Sequence, residues 1–295
     1  MDWMHSILTL QQQLRVAQYI AERPLVTALL LMNDLHRPLL LEGAPGAGKT
    51  EVAKVLSRLH QTDCVRLQCY EGLDAHAAMY EWNYQRQLLA IRLLEGDSRP
   101  GPLKEEDIFS EPYLLKRPLL DAITREQPVV LLIDEIDRAD EAFEAYLLEL
   151  LSDFQLSIPE LGTVRAQSRP WVVLTSNGTR ELSDALRRRC LYHYLEYPSF
   201  EKELLIVETL LPGAPAQLAR QLVEFVQSIR QLDLQRKPGI AETLDWAAAL
   251  LRLGLTALDA DRAEILLDTL GTLLKTRPDR AAVTPELVQR MVAAC

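Results

Sequence analysis

The chain has 295 residues, 48% of them apolar and 25% charged, and its formal net charge is −10. This balance predicts a soluble globular protein with one large domain and one smaller domain. The acidic surplus argues against a protein whose main task is to coat DNA or RNA, because that task normally requires a basic face. The best apolar run, 25-LVTALLLM-32, is less than half the length that crosses a bilayer, so we expect no membrane span.

The first residues, 1-MDWMHSILTL-10, contain no basic segment of the kind that opens a secretion signal. The four cysteines of the chain show neither CxxC pairing nor zinc-like spacing. The sequence therefore predicts a reduced protein in the cytoplasm.

An α/β pattern covers the first two thirds of the chain. Helical spacing of apolar residues predicts two N-terminal helices, within residues 4–21 and 24–36. Short apolar runs bounded by turns then predict five buried strands, at residues 38–42, 64–69, 128–134, 171–177 and 191–197. The stretches between the first four runs are long enough for helices, which predicts a mostly parallel five-stranded sheet flanked by helices.

Two connections between these strands carry further predicted elements. Residues 75–96 are predicted to form one helix, which the loop-like residues 97–102 follow. Residues 154–166 alternate apolar and polar side chains on either side of Leu161-Gly162, which predicts a β-hairpin.

After Tyr197-Pro198 the pattern becomes helical. Helices are predicted at residues 200–211, 215–234, 240–253, 259–274 and 285–294, the last with Thr284 as its N-cap. We therefore expect an α/β domain over residues 1–198 and a smaller all-α domain over residues 199–295.

The stretch 43-GAPGAGKTE-51 follows the first predicted strand and matches the pattern GxxxxGK[ST]. Backbone N–H groups of such a loop, and the positive end of the next helix, bind phosphate oxygens. Lys49 is expected to reach the β and γ phosphates of a nucleotide, and Thr50 to offer its hydroxyl to Mg²⁺. The alternative is a glycine-rich turn without a ligand. The candidate binding residues are Gly43, Ala44, Pro45, Gly46, Ala47, Gly48, Lys49, Thr50 and Glu51.

The run 129-VVLLIDEID-137 delivers two acids to the end of a buried strand. Asp134 is placed to anchor the water shell of Mg²⁺, and Glu135 to polarise an attacking water. Asp137 is expected to cap the helix that begins near Asp140. A strand that merely ends in two acids is the alternative.

Asn177 follows the apolar strand 171-WVVLTS-176, where its carboxamide suits contact with a γ-phosphate and a water. Asn177-Gly178 is also a strong turn signal, which leaves a purely structural role open. Further on, 183-SDALRRRC-190 predicts a short helix capped by Ser183. Its arginines, Arg187, Arg188 and Arg189, either stabilise the helix C-terminus or supply an arginine finger to the nucleotide of a neighbouring subunit.

The order of GAPGAGKT, LLIDEID, TSN and ALRRR, followed by helices, resembles the AAA+ ATPases. Within them, 66-RLQCYEGLDAHAAMYEWN-83, the hairpin 155-QLSIPELGTVRA-166 and 182-LSDALRRRC-190 resemble the MoxR group. The resemblance implies a P-loop AAA+ core with a helical lid. It also implies a cytoplasmic, usually hexameric chaperone that hydrolyses ATP to ADP and phosphate. MoxR-like proteins mature or activate metal- or cofactor-containing enzymes, commonly with a von Willebrand factor A domain partner.

Carried over by motif, the resemblance gives roles to single residues. Lys49 and Thr50 match the Walker A lysine and hydroxyl, Asp134 and Glu135 the Walker B pair, and Asn177 sensor 1. Arg189 best matches the arginine finger, and Arg188 is the next choice.

The helix that often carries a sensor 2 arginine departs from the family. It reads 236-RKPGIAETLDW-246, with Ala241 or Glu242 at the expected position. Arg236 and Lys237 are the candidate substitutes, and without one of them nucleotide sensing by the lid is weakened.

Four aromatic residues lie in a segment that resembles the insert facing the central pore of the ring: Tyr70, Tyr80, Trp82 and Tyr84. All four are candidates to grip a partner, and the alternative for Tyr80 and Tyr84, at helical spacing, is packing against a neighbouring helix. The five histidines show no metal-ligand spacing, so no metal beyond Mg²⁺ is predicted.

Three classes of function stay open. The first is an ATP-driven remodeller of protein complexes. The second is a DNA-directed AAA+ motor of the helicase or helicase-loader kind, which the acidic charge disfavours. The third is a nucleotide-gated binding module with negligible hydrolysis.

Overall fold

The computed structural model describes residues 3–95 and 108–294. The predicted loop at residues 97–102 and Cys295 lie outside the described residues. Backbone contacts divide the chain into two compact units. The helical unit comprises Met1–Arg23, Gly43–Lys49 and Leu195–Cys295, and the α/β unit comprises Pro24–Glu42 and Thr50–Tyr194. The domain boundary at residues 198 and 199 stays a prediction.

The first part of the chain alternates helices and strands. Its elements are α1 (Trp3–Val16), α2 (Arg23–Leu35), β1 (Leu39–Gly43), α3 (Lys49–His60), β2 (Cys64–Gln68), α4 (Ala75–Met79), β3 (Tyr80–Trp82), α5 (Tyr84–Glu95), β4 (Leu114–Lys116), α6 (Pro118–Thr124), β5 (Val130–Asp134), α7 (Glu141–Asp153), β6 (Gln155–Ile158), β7 (Gly162–Arg165), β8 (Trp171–Ser176), α8 (Asp184–Arg189) and β9 (Leu191–Leu195). Short 3₁₀ turns cover Glu111–Tyr113 and Ile136–Arg138.

Five of these strands form one sheet in the order β2-β5-β8-β1-β9, and the β2–β5, β5–β8 and β8–β1 pairs are parallel. All five residues of β5 are buried, as expected of a strand covered on both faces by helices. The predicted five-stranded sheet flanked by helices is confirmed.

The predicted single helix over residues 75–96 is wrong. It is interrupted by β3, which pairs antiparallel with β4, Trp82 lying opposite Leu114. The side chains of Tyr80 and Trp82 are both buried in the core of the α/β unit. Alternating burial of large aromatic residues favours an extended backbone over a helix here.

This strand also answers part of the question about the aromatic residues. Tyr80 and Trp82 pack in the core, where their rings meet edge to face at 6.0 Å. Tyr70 and Tyr84 are exposed. The helical spacing assumed for Tyr80 and Tyr84 is wrong, because Tyr80 begins β3 whereas Tyr84 begins α5.

The predicted hairpin is confirmed as β6 and β7, which pair antiparallel from Gln155–Arg165 to Ile158–Gly162. Gly162 has a φ of +78°, a conformation that glycine adopts without strain.

The C-terminal part is helical, as predicted. Its helices are α9 (Phe200–Leu210), α10 (Ala216–Arg230), α11 (Ile240–Arg252), α12 (Ala263–Thr269), α13 (Arg277–Ala282) and α14 (Pro285–Ala294). Two differences from the sequence prediction concern the region around α12. The predicted helix 259–274 is divided into 3₁₀ turns on either side of α12, and α13 was not predicted.

Caps and apolar faces explain several of these helices. Thr284 caps α14 as predicted, accepting a hydrogen bond from the N–H of Leu287 at 3.3 Å. In α10 the buried residues Leu218, Leu222, Phe225 and Ile229 recur at helical spacing and pack into the core of the helical unit. Among residues 3–95 and 108–294, no helix is both long and apolar enough to cross a membrane.

Candidate nucleotide site

The loop Gly43–Lys49 belongs to the helical unit and follows β1. A side chain at Gly43 would meet a backbone oxygen, because its Cβ would lie 2.1 Å from the carbonyl oxygen of Leu195. Gly46 has a φ of +78°, and a Cβ there would lie 2.8 Å from the Cα of Gly239. Gly43 and Gly46 therefore serve the shape of the loop, because side chains at these two positions would collide with the backbone.

Lys49 is the first residue of α3, and its side chain is buried. Its ammonium donates hydrogen bonds to the carbonyl oxygens of Gly43 at 2.7 Å and Ala44 at 2.9 Å. The charged end of the Lys49 side chain is therefore held within the loop.

Thr50 and Asp134 meet within the α/β unit. The Thr50 hydroxyl donates to Oδ1 of Asp134 at 3.1 Å, and the hydroxyl of Thr175 donates to the same oxygen at 2.5 Å. The Asp134 carboxylate is buried at the end of β5. Thr50 directly follows Lys49 in α3, so one of the two predicted Mg²⁺ ligands is adjacent to the predicted phosphate-binding lysine along the chain.

The partners of the two acids that the sequence analysis missed include Arg66, Gln68 and Thr175. Arg66 and Gln68 lie two residues apart on β2, and Gln68 lies opposite Asp134 in the parallel register. Thr175 lies on β8. Polar residues two apart in an otherwise apolar strand were the available signal, because they share one face.

Glu135 has a left-handed backbone, with φ 56° and ψ 50°. Its N–H donates to the hydroxyl of Thr175 at 2.9 Å. Its carboxylate Oε2 accepts a hydrogen bond from Gln68 Nε2 at 3.0 Å and forms an ion pair with Arg138, whose Nε lies 3.0 Å away. A non-glycine residue in this conformation costs about 1–3 kcal/mol and is typical of functional positions, where the surrounding structure maintains it.

Asp137 does not cap the next helix, so that prediction is wrong. Asp140 caps α7 by accepting from the N–H of Phe143 at 2.8 Å. Asp137 instead accepts from both the N–H and the hydroxyl of Thr179, at 3.0 and 2.6 Å. Burial alone would raise the pKa of Asp137, but these hydrogen bonds lower it overall, so the carboxylate is ionised as it fixes the segment after Asn177.

Asn177 lies directly after β8, which neighbours β5 in the sheet. The following Gly178 has a φ of +70°, and its N–H donates to the hydroxyl of Ser176 at 3.0 Å. The chain bends at residues 178–180 and continues into α8, so Asn177-Gly178 is not the turn of a β-hairpin.

Helix α8 carries the three arginines and is held at both ends. Ser183 caps it as predicted, accepting from the N–H of Leu186 at 3.3 Å. At its C-terminus, the guanidinium of Arg37 donates to the carbonyl oxygens of Arg188 at 2.5 Å and of Arg189 at 3.2 Å. Arg37 thus satisfies carbonyl groups that a helix end leaves unpaired, a role that the sequence analysis missed.

The side chains of the three arginines differ. Arg187 lies over the ring of Tyr192, 6.0 Å from its centroid. Arg189 is half-buried and donates to Ser152 Oγ and to the carbonyl oxygen of Ala185. Arg188 is exposed.

The start of α11 contacts the loop within the helical unit. The N–H of Ile240 donates to the carbonyl oxygen of Gly46 at 3.0 Å. Glu242, at one of the two positions expected for a sensor 2 arginine, accepts from the N–H of Gly239 at 3.0 Å and so caps this helix. The candidate substitutes Arg236 and Lys237 are both exposed.

A buried ion pair supports this helix start. Arg230 and Glu203 are 4% and 0% exposed, and Arg230 donates to both carboxylate oxygens, at 2.5 and 2.6 Å. Arg230 also donates to the carbonyl oxygen of Pro238 at 2.8 Å, and its guanidinium lies 5.0 Å from the ring of Tyr197. The Tyr197 hydroxyl donates to the carbonyl oxygen of Pro45 in the loop at 3.0 Å, so one network connects the core of the helical unit to the loop.

Arg230→Met is expected to lower the free energy of unfolding by about 3–5 kcal/mol, because it leaves the buried Glu203 carboxylate without its cation. The matched control is Arg220→Met, which breaks an exposed pair with Glu224 and should cost about 0–1 kcal/mol. Urea unfolding of both variants measures the difference. Equal losses of unfolding free energy in the two variants would show that the buried pair stabilises the chain no more than the exposed pair.

The sheet order and the loop after β1 define the fold as the P-loop fold of AAA+ ATPases, with a C-terminal helical region. Residues 38–190 match the family described as AAA domain (dynein-related subfamily). The match covers more than half of the chain, and the chain belongs to this family.

Similar proteins include chaperones. Chaperone protein ClpB from Chlamydia pneumoniae is 30% identical over 159 residues, which are 52% of this chain and 16% of ClpB. The match therefore spans only a small part of ClpB. An uncharacterized protein from Staphylococcus aureus strain USA300 is 25% identical over 241 residues, 78% of this chain and 82% of that protein.

Among solved structures, the RuvB Holliday junction branch migration motor of Thermotoga maritima is 19% identical, with a TM-score of 0.46. The superposition covers 84% of this chain and 67% of RuvB. A likeness of this size carries no conclusion about function.

Proposed function

We propose that the chain binds ATP with Mg²⁺ and hydrolyses it to ADP and phosphate. The contact between the Thr50 hydroxyl and the Asp134 carboxylate, at 3.1 Å, supports this most directly. A loop hydroxyl and an acid at a strand end form the pair that holds Mg²⁺ in P-loop nucleotide hydrolases. Thr50 directly follows the buried Lys49 in the sequence.

The donor set fits the metal. Mg²⁺ prefers oxygen ligands and is usually held by one or two carboxylates together with phosphate oxygens and water. Thr50 and Asp134 offer a hydroxyl and a buried carboxylate. Thr50 and Asp134 would hold Mg²⁺ there, and its positive charge would offset the charge that develops during phosphoryl transfer.

The side chains divide the remaining tasks. Lys49 exchanges its two carbonyl contacts for phosphate oxygens. Glu135 accepts the proton of the attacking water, with its peptide N–H anchored on Thr175. Asn177 contacts the γ-phosphate, and the Asp137–Thr179 hydrogen bonds hold the segment that follows it.

We further propose that copies of the chain form a ring, a hexamer as in MoxR-like proteins, in which one subunit's arginine completes its neighbour's site. Arg189 is the first candidate for this finger and Arg188 the second. The exposed guanidinium of Arg188 is available to a neighbour, and the Arg37 contacts fix the helix end that presents both residues. An arginine finger acts by stabilising the charge of the transition state.

We propose that ATP hydrolysis drives chaperone-like remodelling of a partner protein in the cytoplasm. The MoxR-like segments of the sequence suggest a client protein or metalloenzyme complex and a von Willebrand factor A domain partner. The similarity to segments of the ClpB chaperone supports a protein target. The net charge of −10 disfavours nucleic acid.

ATPase assays with DNA and with co-purifying protein separate the classes of function. We expect phosphate release that duplex and single-stranded DNA leave unchanged, and that a protein co-purifying with a Glu135→Gln trap stimulates. Stimulation by DNA that disappears at high salt would instead identify a DNA motor. Tight ATP binding without phosphate release, with or without the partner, would identify a nucleotide-gated binding module.

A further inference from the structure

The guanidinium of Arg66 is hydrogen-bonded to the Asp134 carboxylate. Arg66 donates to Oδ2 of Asp134 through Nε at 3.0 Å and through Nη2 at 2.5 Å. The other oxygen, Oδ1, accepts from the hydroxyls of Thr50 and Thr175. Four donors therefore fill the roughly four acceptor positions of an ionised carboxylate.

Arg66 is also connected to the second acid. It donates through Nη2 to the side-chain oxygen of Gln68, and the amide nitrogen of Gln68 donates to Glu135 at 3.0 Å. The two predicted functional acids, Asp134 and Glu135, are thus joined through one arginine and one glutamine on β2.

The two side chains of the ion pair differ in their exposure to solvent, and therefore in the free energy that each loses when the pair separates. The Arg66 side chain is 54% exposed, whereas that of Asp134 is 4% exposed. An exposed guanidinium is readily rehydrated, but a buried carboxylate needs a cation or strong donors. Replacing Arg66 by another cation therefore costs less free energy than leaving the buried Asp134 carboxylate without a cation.

We propose that Arg66 is a resident cation that holds the Mg²⁺ site in its resting arrangement and gives up Asp134 when Mg²⁺ and nucleotide bind. Its departure also frees the side-chain oxygen of Gln68, so the contact of Gln68 with Glu135 is no longer fixed by Arg66. Arg66 is thus a positioning residue that raises the Mg²⁺ concentration needed for nucleotide binding. This inference rests on the proposed function of the site.

The test is a titration of the full-length chain with Mg²⁺ in the presence of a fluorescent ATP analogue. For Arg66→Ala, the Mg²⁺ concentration for half-maximal binding should fall about five- to tenfold, as expected when a charge-assisted contact no longer competes. Nucleotide affinity measured in excess EDTA should stay unchanged. Arg66→Lys should show a smaller fall, because an ammonium cannot make both contacts, and it decides the matter if Arg66→Ala does not fold.

The matched control is Arg125→Ala, which removes a partly exposed arginine that pairs with Asp121 and Asp63 in the same unit. Its Mg²⁺ dependence should equal that of the unchanged chain. An unchanged or higher half-maximal Mg²⁺ concentration for the Arg66 variants, or an equal fall for Arg125→Ala, would overturn the proposal. So would weaker binding of Arg66→Ala in EDTA, which would make Arg66 a phosphate ligand.

Nucleotide binding by the unchanged chain distinguishes failure of the proposed function from failure of the proposed role of Arg66. If it binds no nucleotide at any Mg²⁺ concentration, the proposed function fails and the role of Arg66 fails with it. If it binds nucleotide and the Arg66 variants do not shift the Mg²⁺ dependence, only the role of Arg66 is lost.

Discussion

Lys49→Ala is expected to weaken ATP binding about a hundredfold or more. The ammonium lies buried within the loop, 2.7 and 2.9 Å from the carbonyl oxygens of Gly43 and Ala44, and it is the cation that the motif offers to the phosphates. A charge-assisted contact in a buried loop contributes several times the free energy of an exposed one. Isothermal titration calorimetry with ATP and Mg²⁺ measures the loss directly.

Lys54→Ala is the control for this variant. Lys54 lies in the same helix, has an exposed side chain and pairs with Glu51 at 3.4 Å. The control removes the same charge from the helix and should change the affinity by less than about twofold. Equal affinity losses for the two variants would show that the effect is one of net charge and not of the loop.

Glu135→Gln is expected to leave ATP binding intact and to lower the rate of phosphate release by about two to four orders of magnitude. The amide keeps the size of the side chain but cannot accept a proton from water, and general base catalysis accounts for about this factor. The backbone anchor on Thr175 is retained, because it uses the N–H of residue 135. Single-turnover hydrolysis alongside equilibrium binding measures the two effects separately.

The comparison for this variant is Glu141→Gln, which neutralises an exposed acid in the first turn of α7. Its rate of phosphate release should match that of the unchanged chain. Normal turnover by Glu135→Gln would remove Glu135 from the catalytic role. The base would then have to be sought elsewhere in the site.

The sheet and its motifs were accessible to sequence reasoning because they are local patterns. The apolar run of β5 predicts a strand covered on both faces, and the acids at its end follow from the same run. The loop at residues 43–51 is defined by spacing alone. The hairpin of β6 and β7 was also accessible, since its alternation and its Gly162 lie within a few residues of each other.

Features that depend on residues distant in the sequence were not accessible. β3 forms because it pairs with β4, about thirty residues away, and a window over residues 75–96 sees only helical spacing. Asp137 was assigned to the nearest helix, whereas its partner Thr179 lies forty-two residues away. Arg66 and Gln68 became visible as partners of the acids only once the register of β2 against β5 was known.

The start of α11 illustrates the same limit. Glu242 stands at one of the two positions where the family resemblance expects a sensor 2 arginine, and sequence comparison treats it as a departure. In the structure its carboxylate caps α11 by accepting from Gly239, whose backbone lies against Gly46 of the loop. The capping hydrogen bond is local, but the close approach of Gly239 to Gly46 joins residues far apart in the sequence, which spacing does not reveal.

The most direct test of the central proposal is steady-state phosphate release from MgATP measured over a range of chain concentrations. If the chain is an ATP hydrolase whose sites are completed by a neighbour's arginine, the rate per chain rises with concentration toward a plateau. Lys49→Ala and Glu135→Gln should then show no such rise. A rate at background for the unchanged chain at every concentration, or a rate that both variants retain, would contradict it.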